Sequence, residues 1–495
     1  MMESFNSIIN TLNNMVWATP IIILILGASI YFTLLLRFAQ VRGLGHQLSL
    51  LFKKTSSSAG IAPFAAFCSI VAYRVGTANV AGVAVAVWAG GPGAVFWMLA
   101  CSLVNAAISY AECSLGQIYK VLQDGEYRGG AYYYIERGLG WKAMAKTYAV
   151  LTLVCVPILT VAPHANSIAQ SFSVSMGIPA LTTGIVVAIA FFAIITGGIQ
   201  RIAKTATVLV PIMTLLYLGL TAIMLIAHVS EIPAVLSTIV TSAFGTHALF
   251  GGLLGSAVMW GVKRSVNSSG AGMGEAVPAA AAADCEHPGE QGLINSFTVF
   301  IDMAVCVCTG LLILITDCFN VISAEGTYLH IGAGSKLMAD LAGTNTAGIA
   351  WTQEAIATLL PGIGEILVAL CLFFFAFTTL LNYYYQGETS IAYLLFHQTE
   401  KARKTGIWVL RFAMPVVFIF CAVNTAKATW AIGELGVGLM VWFNIIILLF
   451  MSKTIGAIFN DYEAQRKAGG VPIFNPQKLG IKNADLWMEI NKDKL

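Results

Sequence analysis

Apolar runs of roughly 20 residues, the length an α-helix needs to cross a ~30 Å hydrocarbon layer, recur along almost the whole of this chain. They fall at 18–38, 60–88, 92–118, 143–171, 179–199, 204–227, 243–266, 292–317, 362–390, 405–425 and 428–451. The expectation is an all-α polytopic membrane protein with about eleven transmembrane helices. Only 10% of the residues are charged, against about 25% in a soluble domain, so no stretch remains that could build a sizeable soluble core. The one long polar segment is the C-terminal tail from Met451. The N-terminus "MMESFNSIINTLNNMVW" has neither a basic leader nor a small-residue cleavage site, so no removable signal peptide is expected.

Lys and Arg counting sets the expected orientation. With the loop after the first span on the cytoplasmic side, 24 of the 27 basic residues lie in cytoplasmic segments. Lys336 and Lys427 fall outside, and Arg74 lies within the membrane. The N-terminus is therefore expected outside and the tail in the cytoplasm. The cysteines lie nearly all inside apolar segments, where a thiol acts as a small hydrophobe. Cys306 and Cys308 have no His or carboxylate at metal spacing, so neither a zinc site nor a disulfide framework is expected.

Two segments interrupt the apolar pattern. "VGTAN" (75–79) divides the second span, and glycines at 251, 252, 255, 261, 270, 272 and 274 break up the seventh. In lipid, non-helical backbone survives only where it lines a cavity. The two breaks lie five helices apart. Setting aside the first helix leaves ten, in two halves of five that each open on an interrupted helix. Because five is odd, the halves run in opposite directions, which is the inverted-repeat logic of secondary transporters. The expected division is 1–59 for the extra helix and its loop, 60–227 and 228–451 for the repeats, and 452–495 for the tail. The plainer reading is that the glycines only permit close helix packing.

The residues also resemble a known family. "VGTANVAGVAVAVWAGGPGAVFWM" (75–98), "AEC" (111–113), "GGAYYYIERGLG" (129–140), "HANSIA" (164–169), "WGVKR" (260–264), "AGMG" (271–274), "HPGEQG" (287–292) and "FAFTTLL" (375–381) resemble the alanine or glycine:cation symporters almost end to end. The resemblance implies a LeuT-type fold of two inverted five-helix repeats behind one extra helix. It also implies sodium-driven uptake of small neutral amino acids. Carried over by motif, Gly76, Thr77 and Ala78 would hold the substrate carboxylate through backbone N–H groups. Asn79 would offer its side-chain carbonyl, and His164 and Asn166 would come from the fourth span. Ala257, Trp260 and Gly261 would form the opposite wall, with Trp260 as a size filter. Thr378 and Thr379, with the carbonyls of Ala72, Val75 and Phe375, would supply about five oxygens to sodium. Without the resemblance, the two threonines would read as ordinary back-bonding to the preceding turn.

The chain departs from the family pattern at Ala78, at Ser269–Gly270, at His164 and at "NYYYQGE" (382–388), all near the expected pocket. Alanine or glycine is the expected substrate, with serine, D-alanine or glutamine as alternatives, and protons as the alternative to Na+. Arg74, Glu112 and Asp302 are ionisable groups at membrane depth, which are rare and often functional. Arg74 is expected to pair with one of the two acids, as a gate or as a static tie. Lys263 and Arg264 read as anchors at the cytoplasmic end of the seventh span. The loop 325–362 reads as a lid or cap, and the tail as partly ordered against the cytoplasmic face. An enzyme is not expected, since no HExxH, GxSxG or nucleotide loop is present. A channel is disfavoured by the inverted halves. A small amino acid and the lipid bilayer are the expected partners, with no nucleic acid.

Overall fold

The structure, a computed structural model, describes residues 2–53, 59–247, 250–323, 325–341 and 348–492. Helices α1 (Met2–Val16) and α2 (Thr19–Leu35) form one apolar arm, and Pro20 sits in the first turn of α2, where a missing N–H leaves no bond unmade. Two short helices, α3 (Ala39–Arg42) and α4 (Leu44–Leu51), follow at the same end of the bundle. The first interrupted crossing is α5 (Pro63–Arg74), a break, a π-helical turn at Ala78–Gly82, and α6 (Val83–Gly90). Its two halves are bent by 44°. Gly91 then adopts φ 68°, a left-handed conformation that favours glycine, and the chain turns back into α7 (Gly93–Ile118).

A hairpin of β1 (Val121–Gln123) and β2 (Glu126–Arg128) turns through Asp124 and Gly125. Helix α8 (Ala131–Leu139) lies beside it. Helices α9 (Lys142–Val154) and α10 (Val161–Met176) form one long crossing through a second π turn at Cys155–Leu159. Then come α11 (Ala180–Ile195), α12 (Gly198–Ala227) and the shorter α13 (Ile232–Ala243).

The second interruption falls at the C-terminal end of the expected segment 251–274, and not along its whole length. Helix α14 (Leu254–Ser269) runs unbroken through Gly255 and Gly261. The chain leaves the helix only afterwards, where Gly270, Gly272 and Gly274 take φ of 61°, 94° and 74°, and it resumes as α15 (Val277–Ala282). The physical reason is packing. A Cβ on Gly261 would lie 2.8 Å from the Ala94 carbonyl, so that glycine admits α7 rather than breaking the helix.

The rest of the bundle is α16 (Pro288–Ile315), β3 (Asn320–Ile322) paired with β4 (Tyr328–Ile331), α17 (Lys336–Leu341), α18 (Ile349–Ala357), α19 (Ile363–Leu394), α20 (Glu400–Ala422) and α21 (Ala426–Phe450). Among the described residues, eight helical segments are long and apolar enough to cross a membrane, and the bent pair is a ninth. The two remaining expected spans are the 16-residue α11 and the α14–α15 pair. The bundle is inside-out compared with a soluble protein. Along α12, Val208, Ile212, Leu215, Ile223 and Ile226 are exposed on one stripe, suited to lipid. Asn105, Ser109, Glu112 and Gln117 of α7 are buried.

The two ends of the bundle differ. At the far end, the expected lid is an integral part of the fold. Trp351 of α18 is fully buried, and Thr352 Oγ1 donates to the Val80 carbonyl in the first π turn at 3.2 Å. Part of that loop, 342–347, lies outside the described residues. At the other end the tail folds back as α22 (Ser452–Lys467) and α23 (Leu486–Ile490). Trp487 is fully buried, its Nε1 donates to the Gln117 carbonyl at 2.9 Å, and Lys120 Nζ lies 4.7 Å from its ring. The Phe474 N–H donates to the Glu286 carbonyl at 3.1 Å.

Truncating a buried Trp leaves a cavity worth about 3–5 kcal/mol. Trp487→Ala is therefore expected to lower stability by about 3 kcal/mol, read as a drop in the melting temperature of the purified protein in detergent. An unchanged melting temperature would show that the tail is not docked.

Candidate functional site

The first break is built around Asn79. Val75, with ψ 89°, leaves the helical ladder, and the Gly76 N–H donates to Asn79 Oδ1 at 2.8 Å. Asn79 Nδ2 donates to Asp302 Oδ1 on α16 at 2.6 Å and to its carbonyl at 3.2 Å. Ser268 Oγ, in the last turn of α14, donates to the same Asp302 Oδ1. Asp302 thus joins the two interrupted crossings, while its Oδ2 is buried without a partner. Asn79 is committed at both ends of its amide, so its carbonyl holds the chain's own Gly76 rather than standing free for a ligand. The π turn that starts at Ala78 has the character of helical bulges found at functional sites.

Beside this break, four of the oxygens expected to hold sodium converge. Thr378 Oγ1 lies 3.2 Å and Thr379 Oγ1 3.0 Å from the Ala72 carbonyl. The same hydroxyls lie 3.1 and 2.9 Å from the Phe375 carbonyl. Back-bonding along α19 therefore occurs, but both hydroxyls also reach across to the last turn of α5. A single threonine bonding within its own helix would not do that. A Cβ on Gly76 would meet Thr379 Oγ1 at 2.9 Å and His164 Nε2 at 3.2 Å, so the break, the threonines and His164 share one place. Val75 is buried at the start of the break.

A cavity of about 20 Å³ opens here, bounded by Thr77, Ala78, His164, Asn267, Tyr383 and Trp430. It is large enough for about one water, so admitting an amino acid requires its walls to part. Thr77 Oγ1 is buried without a hydrogen-bond partner. His164 Nδ1 lies 2.9 Å from the Thr160 carbonyl. A carbonyl can only accept, so Nδ1 carries the proton and a neutral ring presents Nε2 as a bare acceptor.

Other expected residues sit elsewhere. Because α14 is unbroken at Gly261, Ala257 and Trp260 pack about two turns further along, against Gly90 of α6, and Gly261 packs against Ala94 and Trp97. Asn267 and Trp430 take up the wall that Ala257, Trp260 and Gly261 were expected to form. Asn166 points away from the cavity and donates to the Asn424 carbonyl at 2.5 Å.

The charged residues are also placed differently from expectation. Arg74 makes no ion pair within 4 Å of a described acid. Its guanidinium donates to the Ser269 carbonyl and, at 2.6 Å, to Ser109 Oγ. Glu112 is occupied by the second break, where its Oε2 accepts the N–H groups of Gly272 and Gly274 at 3.1 and 3.0 Å and Asn444 Nδ2 at 3.2 Å. Lys263 and Arg264 are buried rather than interfacial. They hold Glu434 of α21 at 2.6 and 3.1 Å, with Trp260 4.6 Å from Lys263 and Trp430 4.8 Å from Arg264.

Comparison with known proteins settles the family. The sequence pattern of the sodium:alanine symporter family matches residues 2–476. The chain belongs to the sodium:alanine symporter family. It is 43% identical over 478 residues to YrbD of Bacillus subtilis (strain 168), covering 96% of each chain. It is 40% identical over 433 residues to the sodium/proton-dependent alanine carrier protein of Bacillus sp. (strain PS3), covering 87% of this chain and 95% of that one. Among solved structures it resembles MhsT in complex with L-phenylalanine, with TM-score 0.56 and 12% identity over 88% of this chain and 96% of that one. That likeness concerns the fold, which is LeuT-type.

As a sodium:alanine symporter the chain is a secondary transporter and not an enzyme. The sequence reading missed Glu434, Asn267 and Trp430, whereas Tyr383 lies in the segment 382–388 that it placed near the pocket. Glu434 could have been found, being a single acid within the apolar run 428–451 and so a costly residue by default. Asn267 and Trp430 carry no comparable signal, because Asn and Trp are common in helices of this kind.

The junction at Asp302 yields a stability prediction. Asp302→Ala removes the oxygen that accepts from both Asn79 Nδ2 and Ser268 Oγ, leaving Nδ2 the main-chain carbonyl of residue 302 and Ser268 the Cys306 thiol, and should cost about 2 kcal/mol. Asp302→Asn keeps an acceptor at Oδ1 and should cost about 1 kcal/mol. Thermal melts of the two purified variants check this. Equal losses would mean that charge, and not the acceptor, holds the junction.

Proposed function

We propose that this symporter carries alanine, or glycine, into the cell together with Na+ by alternating access. The observation that carries the reading is the convergence of Thr378, Thr379 and the Ala72 and Phe375 carbonyls beside Gly76. Sodium is a hard cation that takes oxygen ligands, and the Val75 carbonyl, turned out of its helix, would complete a set of five. Sodium there would draw α5 and α19 together immediately below the substrate.

The substrate carboxylate would lie at Thr77 and Ala78, where the π turn begins and helix N–H groups favour negative charge. The ammonium group would face His164 Nε2. The cavity bounded by Tyr383 and Trp430 is about 20 Å³, so a small side chain asks for less parting of its walls than glutamine. Ala257, Trp260, Gly261 and Asn166 would then shape the bundle rather than touch the substrate. The same reading places the tail in the cytoplasm and the α17–α18 lid outside, in the inner membrane of a bacterium, with residues 60–227 and 228–451 as the two repeats. The proton-coupled alternative is favoured by one observation, the presence of His164 in the wall of the cavity.

The test is uptake of labelled alanine into proteoliposomes under an inward sodium gradient and, separately, under a proton gradient alone. Accumulation should require sodium. Thr379→Ala should raise the sodium concentration for half-maximal uptake by about 10-fold, equivalent to about 1.4 kcal/mol of lost cation binding. Accumulation driven by protons alone, with sodium excluded, would replace Na+ by H+ as the coupling ion.

A further inference from the structure

A second site lies at the tail end of the bundle, unused by transport. A cavity of about 210 Å³ separates α3 and α4 from α22, with Arg42, His46, Leu293, Glu463, Arg466 and Lys467 in its wall. Arg466 is neutralised, since its Nε and Nη2 donate to the two oxygens of Glu463 at 3.1 and 3.0 Å. His46 is engaged with the Tyr462 hydroxyl at 2.7 Å. Burial, and then the nearby Arg466, hold its imidazole below the ordinary value, so it adds no charge at neutral pH. Arg42 and Lys467 are exposed and have no ion pair or hydrogen bond among the described residues. Two uncompensated cations therefore face one cavity.

The surface next to these cations is apolar. Phe38, Val41, Leu44, Leu48 and Phe52 are all exposed, Phe52 at 74%; Leu44 and Leu48 lie one turn apart on α4, and Phe38 and Phe52 flank the two helices. On the opposite side Gln47, Leu50 and Leu51 are buried against the bundle. A short amphipathic segment of this kind lies in the membrane interface with its apolar side at the acyl boundary. Arg42 follows Val41 directly and so stands at headgroup depth. Basic pockets at that depth suit lipid phosphates.

We infer that Arg42 and Lys467 bind the phosphate of an anionic phospholipid whose acyl chains lie along the Phe38–Phe52 stripe. A free phosphate ion would use the cations but gain nothing from the stripe, which is why a lipid is the better fit. The lipid would tie α4 to α22. The chain leaves α4 through Lys53, which holds Glu286 and Glu290 at 2.6 and 2.8 Å, and then enters the first interrupted crossing. Another basic cavity, around Arg403 and Arg411, is less suitable because its cations are already paired. Arg128 and Arg411 hold Glu388, Arg403 holds Asp124 and Lys404 holds Glu400.

The experiment is a thermal melt of the delipidated full-length protein in detergent, so it is read independently of transport. The probes are phosphatidylglycerol, phosphatidylcholine and inorganic phosphate. Phosphatidylglycerol should raise the melting temperature by a few degrees, and the other two should not. The double variant Arg42→Gln, Lys467→Gln should melt like the parent without lipid, since neither side chain has a protein partner, and should lose the response. Glu463→Gln frees Arg466 and should enlarge the response. An equal rise with phosphatidylcholine, an equal rise with inorganic phosphate, a response kept by the double variant, or a smaller response in Glu463→Gln each overturns the proposal.

Discussion

The structure depends on the satisfaction of backbone that two helices give up inside lipid. An unpaired N–H or C=O there costs several kcal/mol, and each break is met by one buried acid. At the first, Asp302 fixes Asn79, which in turn holds the Gly76 N–H. At the second, Glu112 accepts two N–H groups from the glycine turn, Asn444 adds a contact to the Gly272 carbonyl at 3.0 Å, and the Tyr148 hydroxyl reaches the Met273 carbonyl at 2.5 Å. Arg74 closes the circle by donating to the Ser269 carbonyl at the end of α14. The acids, which in sequence look like ligands for a substrate or partners for Arg74, are the means by which bare backbone is tolerated. Of the groups that bound the cavity, Thr77 Oγ1 and His164 Nε2 are not consumed by the scaffold.

Much of this was legible in the sequence. Spans came from the length of apolar runs, and the first break from polar residues within one of them, because hydropathy is a direct record of which surface meets lipid. The convergence of Thr378 and Thr379 with the Ala72 and Phe375 carbonyls was legible only through family resemblance, since the two are indistinguishable by spacing from threonines that bond their own helix. The second break was bracketed too broadly because glycine serves two purposes. Gly261 lets α7 approach, whereas Gly270, Gly272 and Gly274 take positive φ, and composition cannot tell a contact from a turn. Lys263 and Arg264 were misread for a related reason. Basic residues near a span end usually face the headgroups, and only the long-range partner Glu434 shows that these two are buried.

The two ends of the cavity are closed by different physics. At the tail end, α15 packs so tightly on α7 that a Cβ on Gly116 would lie 2.3 Å from Val277. Ile61, at the entry to the first interrupted crossing, exchanges main-chain hydrogen bonds with Ala282 and Asp284 at 2.9 and 3.0 Å. Gln117 donates to the carbonyls of Ala280 and Ala283 at 2.5 and 2.9 Å, and Trp487 covers Gln117. Opening this end means separating the inner halves of both interrupted crossings, with the loss of several main-chain bonds at once.

The far end is held instead by charge. Glu434 joins α21 to α14 through Lys263 and Arg264, and the three groups carry one positive charge more than they neutralise. Indole rings lie against both cations, Trp17 and Trp260 about Lys263 and Trp430 against Arg264, and such contacts stabilise a desolvated cation by about 2 kcal/mol. They account for the buried Nε and Nη1 of Arg264, which have no hydrogen-bond acceptor. Because Trp430 and Glu434 also line the cavity, a shift of α21 relative to α14 alters the wall of the pocket and the ion pairs together. Access from this side is therefore coupled to the breaking of a few strong contacts, whereas access from the tail side requires the undoing of many weak ones.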